Sequence, residues 1–122
     1  MGHPTIYPTG VTVYNPEKCW NGFTIFQALE VGAVLMNMNG RENKVWKGVH
    51  GFPNKIFPGG YLMTSRGSRD GRYGVQDGLD LVQIDWDGNV VWKFDRNEYI
   101  EDPGIPGRWM ARSHHDYQRE GS

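Results

Sequence analysis

Residues 33–48 read AVLMNMNGRENKVWKG and residues 80–95 read DLVQIDWDGNVVWKFD. Each is an apolar run, an Asn-Gly or Asp-Gly pair, and a run containing Val-Trp-Lys. Asn-Gly or Asp-Gly between apolar runs is the strongest short-range hairpin signal. Trp46 and Trp92 stand 46 residues apart (92 − 46), within the period of about 40–50 residues that marks propeller blades. Such a repeat constrains the fold, because one hairpin cannot bury its apolar face alone and must stack on its neighbours. The expected class is all-β, with antiparallel sheets built as β-propeller blades. Residues 33–79 and 80–122 form the blade repeats, after an N-terminal arm and first strands over 1–32. The chain holds about two and a half blades and a propeller needs several to close, so the last is expected to be incomplete and the chain truncated.

The bulk numbers agree with this class. The chain is 122 residues long with 17 Gly, 7 Pro and 5 Trp, a composition of tight turns and large flat side chains rather than long helices. Thirteen basic and 14 acidic residues leave a net charge of −1, which gives no electrostatic case for nucleic acid or an anionic membrane as partner. No apolar run approaches the ~18 residues of a membrane span. A single cysteine, Cys19, cannot close an internal disulfide. No charged region precedes an apolar run at Met1, so a cytoplasmic location is the default; a mature periplasmic form would read the same way.

Along the chain, residues 1–9 read as an extended arm, Gly10–Asn15 as a short strand and Pro16-Glu17-Lys18 as a turn. Phe23–Leu29 is expected to be a strand with Trp20 packed beneath it. The loop over Asn39–Asn43 is expected to be longer than its counterpart in the second repeat. Asn54–Phe57 and Tyr61–Ser65 flank Pro58-Gly59-Gly60 as a second hairpin. Arg66–Asp77 is polar, glycine-rich and aperiodic, hence a loop. A two-residue turn at Asp87-Gly88 would set Ile84 opposite Val91, Gln83 opposite Trp92 and Leu81 opposite Phe94. Both faces of that ribbon would then carry apolar groups and need covering. Residues 97–108 read as a crossing loop, followed by a strand through His115–Gln118 that would begin a new blade.

The stretches YPTGVTVYNPEKCWNGFTIF (7–26), GFPNKIFPGGYLM (51–63), LDLVQIDWDGNVVWKF (79–94) and RWMARSHHDYQREG (108–121) resemble the N-terminal part of the bacterial aryl sulfotransferases that use phenolic sulfate esters as donors. The resemblance implies a six-bladed propeller with its pocket at the central channel. It also implies ping-pong transfer of a sulfuryl group from a phenolic sulfate ester to a phenol through a sulfohistidine. An imidazole nucleophile divides one difficult transfer into two easier ones. The His-His-Asp run resembles the family's early active-site motif, which makes His114 and His115 the catalytic candidates. The nucleophilic histidine and its arginine partner are expected in later blades.

Adjacent residues of a strand point to opposite faces, so at most one of the two histidines faces the channel unless a bulge intervenes. The assignment favoured here turns His115 to the channel and leaves His114 held by a neighbouring group; the reverse stays open. Arg108 and Arg112 could bind sulfate oxygens through forked hydrogen bonds, although solvent-facing loop arginines are the plainer reading. Trp109 is the candidate aromatic wall. Trp46 and Trp92, at matching repeat positions, read as packing between blades rather than as a ligand platform. His3, His50, His114 and His115 show no metal-binding spacing, and neither a metal nor another cofactor is expected. A different class of function is also carried forward: a non-catalytic propeller module that self-associates or binds a partner. The expected partners are therefore a phenolic sulfate donor and a phenol acceptor, together with further copies of the chain or the missing propeller half.

Overall fold

The structure is a computed structural model, and it describes residues 11–74 and 77–120. The expected arm over 1–9 lies outside them. The chain is all-β with antiparallel sheets, apart from one helical turn. Its elements are β1 (Phe23–Ala28), β2 (Gly32–Asn37), β3 (Glu42–Lys47), β4 (Lys55–Phe57), β5 (Tyr61–Thr64), α1 (Gly71–Gly74), β6 (Asp77–Gly78), β7 (Val82–Ile84), β8 (Val90–Lys93), β9 (Glu98–Asp102), β10 (Ile105–Met110) and β11 (Ser113–His114). The first sheet has the order β1-β2-β3 and the second β4-β5-β7-β8, while β9-β10 and β6-β11 form two-stranded ribbons. The described residues close into neither a barrel nor a propeller.

The two repeats fold alike because they share a turn. Asn37 accepts the amides of Asn39 and Arg41 on its side-chain oxygen, each at 3.0 Å. Asp85 does the same for Asp87 and Asn89, at 2.9 and 2.8 Å. Gly40 and Gly88 fill the left-handed position of each turn, at φ 75° and 92°, where a side chain would be strained. Neither turn is a two-residue one and neither loop is the longer, which corrects both expectations. The extra residue makes a bulge. Gln83 pairs with Trp92 as expected, but Ile84 pairs with Val90 rather than Val91. The first repeat shifts identically between Leu35↔Lys44 and Met36↔Glu42.

The structural repeat is therefore 48 residues (85 − 37), and Trp46 corresponds to Phe94, while Trp92 corresponds to Lys44. Matching the tryptophans by sequence was two residues out of register.

Strand alternation puts Ile25, Ala33, Leu35 and Trp46 on one face of the first sheet. It puts Leu62, Val82 and Ile84 on one face of the second. These two rows meet to form the core, with Trp46 only 3% exposed. The Trp46 indole donates to the Asp85 carbonyl at 3.1 Å and meets Trp86 edge-on. A polar knot fixes the angle between the sheets. Gln27 accepts from the Gly51 amide and the Asn54 side chain and donates to the Val49 carbonyl, and buried Thr64 donates to Asn54. Satisfied networks of this kind specify one arrangement rather than several.

Three further expectations are corrected. Val11–Asn15 forms no strand, although Pro16–Lys18 is a turn. Trp20 is 95% exposed rather than packed beneath β1. The crossing loop over 97–108 is instead the β9–β10 hairpin, with the Pro103-Gly104 turn inside it.

Candidate functional site

The segment after β10 does not continue as a strand. Arg112 and His115 both take left-handed backbone angles, φ 53° and 62°, so β11 is only Ser113–His114 and pairs with β6. Left-handed geometry at a residue other than glycine is uncommon and is held by tertiary contacts. Strand alternation fails here. The two imidazoles lie on the same side with ring centroids 4.1 Å apart, edge to face, and the His115 ring also leans on Phe52. Beyond them, Asp116 pairs with Lys55 at 2.6 Å. The Tyr117 hydroxyl sits between the Pro53 and Met63 carbonyls, where burial and then the Asp116 charge raise its pKa.

β6 places Asp77 beside β11, and its carboxylate contacts Nδ1 of His114. Arg69 reaches the other oxygen of Asp77 at 2.9 Å and grips Asp102 with Nε and Nη2. Burial by itself would raise the Asp77 carboxyl. Hydrogen bonds from Arg69 and His114 outweigh it and hold the group below the usual carboxylate range. Hydrogen bonding to Arg69 depresses Asp102 likewise, and the two carboxylates raise Arg69. An ionised carboxylate only accepts, so Nδ1 of His114 must carry the proton. Nε2, on a half-exposed ring, is thereby left as the basic nitrogen. This is the arrangement in which a carboxylate fixes imidazole tautomer and orientation.

The other sequence candidates lie apart from this pair. Arg112 forms an exposed ion pair with Glu98 at 3.1 Å. Arg108 lines a cavity of about 240 Å³ with Arg69, Asp70 and Asp102. Trp109 is 67% exposed and packs on Tyr99 across the β9–β10 hairpin. Sequence reasoning missed Asp77 and Arg69, which stand in an aperiodic stretch. The available signal was that residues 66–80 hold three arginines (Arg66, Arg69, Arg72) and three aspartates (Asp70, Asp77, Asp80). Among the described residues, no group of three or more His, Cys, Asp or Glu side chains is placed to hold a metal, and no helix is long and apolar enough to cross a membrane.

No family model matches the sequence, and neither the curated proteins nor the solved structures yield a match.

Proposed function

We propose that this chain carries a sulfuryl-transfer histidine site of the aryl sulfotransferase type, on a propeller-like scaffold, with His114 as the nucleophile. The supporting observation is the Asp77 carboxylate on Nδ1 of His114, itself anchored by Arg69. The Nε2 lone pair attacks sulfur of a phenolic sulfate ester. The S–O bond to the ring breaks, and its electron pair leaves with the phenolate. The resulting N-sulfo-imidazole is steadied by Asp77, as a carboxylate steadies an imidazolium. A second phenol attacks the same sulfur, the N–S bond returns its pair to Nε2, and the acceptor's proton passes to water. His115, in ring contact with His114, supplies a donor for the sulfuryl oxygens, where charge builds in the transition state.

The test is release of 4-nitrophenol from 4-nitrophenyl sulfate with formation of phenyl sulfate, and mass spectrometry of the quenched protein for one sulfuryl group on His114. His114→Ala should abolish both. Asp77→Asn should leave the fold intact and lower turnover by at least about 100-fold, since the wrong tautomer is then favoured. Full activity in His114→Ala, or no turnover and no labelled histidine in the wild type, would overturn the reading.

A further inference from the structure

The row Lys55, Met63, Gln83 and Trp92 runs across one face of the second sheet, and the end of the described chain lies along it. Asp116 pairs with Lys55, and the Tyr117 hydroxyl donates to the Met63 carbonyl. Arg119 donates to Gln83 and lies over the Trp92 ring, 4.5 Å from its centroid. Met63, in the middle of the row, is 1% exposed. Further along the same face Phe57 pairs with Tyr61. Between these two rings, Val91 and Trp92, a groove of about 440 Å³ stays open with Arg119 on its wall. Tyr61 is 38% and Val91 52% exposed.

Among the described residues, Arg119 is the one charged side chain that lines this groove, and no carboxylate does. Its guanidinium is only partly engaged. Gln83 takes Nη1, and among the described residues no group takes Nε or Nη2. Those two donors form the side-on fork that holds a carboxylate bidentately. The chain itself shows the match, since Arg69 grips Asp102 through Nε and Nη2. Gln83 and the Trp92 ring already hold the Arg119 plane, so little side-chain freedom is lost when an anion arrives. An apolar cavity of this size with a few placed polar groups suits a small organic ligand.

We propose that this groove binds a flat aromatic carboxylate of one or two rings. The ring system lies among Phe57, Tyr61 and Trp92, and the carboxylate takes Nε and Nη2 of Arg119. A neutral arene leaves the fork unpaired, and an aliphatic acid leaves the aromatic walls without a flat partner, so the two halves of the site together select the class. None of the groove's lining residues belongs to the His114 site, and this binding is independent of sulfuryl transfer there.

Heteronuclear NMR of the full chain titrated with 2-naphthoate tests this. The Arg119 Nε–H signal is identified by its loss in Arg119→Gln, and the Trp92 indole signal by its loss in Trp92→Phe. Both should shift together and saturate with a dissociation constant of about 1 mM or tighter. The Arg69 Nε–H, already held by Asp102, should stay in place. 2-Naphthamide, neutral and of the same shape, should bind roughly 10- to 100-fold more weakly, which is the worth of a hydrogen-bonded charge. Arg119→Lys keeps the charge but loses the fork, and should weaken naphthoate by about 10-fold. Val91→Glu sets a like charge at the exposed mouth, and should weaken it with unchanged circular dichroism. Binding weaker than about 1 mM would overturn the proposal. So would a shift at Arg69 in place of Arg119, an amide that binds as tightly as the acid, or wild-type affinity in either variant.

Discussion

Trp46 and Trp92 show what residue-level reading can and cannot reach. The two Val-Trp-Lys runs look equivalent, and their strands do pair as the sequence predicts. Yet the side-chain acceptors at Asn37 and Asp85 lengthen both turns, and the resulting bulge puts Phe94, not Trp92, in the place of Trp46. A bulge moves no letter in the sequence, so nothing local announces it. The energetic consequence differs for the two tryptophans. Trp46 is enclosed by both sheets and donates to Asp85, so Trp46→Ala should cost about 3–5 kcal/mol. Trp92 packs on one side under Arg119 and opens on the other to the groove, so Trp92→Ala should cost the single chain only about 1 kcal/mol. Urea midpoints measured at a dilution that keeps the chains apart, with unchanged slopes, decide between equal and unequal roles. The histidines carry the same lesson. Their presence was legible, but the left-handed angle at His115 goes with tertiary contacts, Phe52 on its ring and Lys55 on the next residue, Asp116, that no neighbouring residue encodes.

Hairpins were the most legible elements, because Asn39-Gly40, Asp87-Gly88 and Pro58-Gly59-Gly60 each carry turn chemistry within a few residues. The β9–β10 hairpin was missed for the converse reason. Its prolines and glycines resemble a loop, and it is held by Met110 packing, by Arg69 on Asp102 and by Arg112 on Glu98. The two repeat turns differ at the acceptor: Asn37 is neutral, whereas Asp85 is charged and also accepts from the Asn89 side chain at 3.0 Å. Hydrogen bonds from Asn89, first its side chain and then its amide, hold the Asp85 carboxyl below its ordinary value. A group depressed in the folded state stabilises above its unfolded pKa of about 3.9, and that stability is lost as pH falls through the lower folded value. Asp85→Asn keeps an oxygen for the turn amides, as Asn37 demonstrates, but removes the charge and the second acceptor that the Asn89 side chain uses. The variant should melt below the wild type at pH 6, and the gap should narrow as pH falls below about 3.9. Thermal midpoints across that range check it; a gap independent of pH would mean the charge contributes nothing to the turn.

At the scale of the molecule, two regions are held by different forces. The two stacked sheets share one apolar core, from Ala33 to Ile84. The β9–β10 hairpin and the β6–β11 ribbon share little of it and are joined chiefly through Arg69, whose guanidinium spans Asp77 and Asp102. Regions with few buried apolar contacts open at lower free energy than a packed core. The position of His114 thus rests on a chain of polar contacts: β11 on β6, Asp77 on His114, Arg69 on Asp77. Removing the guanidinium leaves two carboxylates facing each other without their shared cation, and their repulsion adds to the lost hydrogen bonds. Arg69→Met should therefore speed amide hydrogen exchange across residues 98–114, while β2, β5 and β7 keep wild-type protection. Peptide-resolved exchange reads both regions in one experiment. If protection falls equally everywhere, the hairpin and the sheets unfold as one unit. If it falls nowhere, Met110 packing and the Arg112–Glu98 pair suffice to anchor the hairpin, and the histidine segment does not owe its place to the Arg69 bridge.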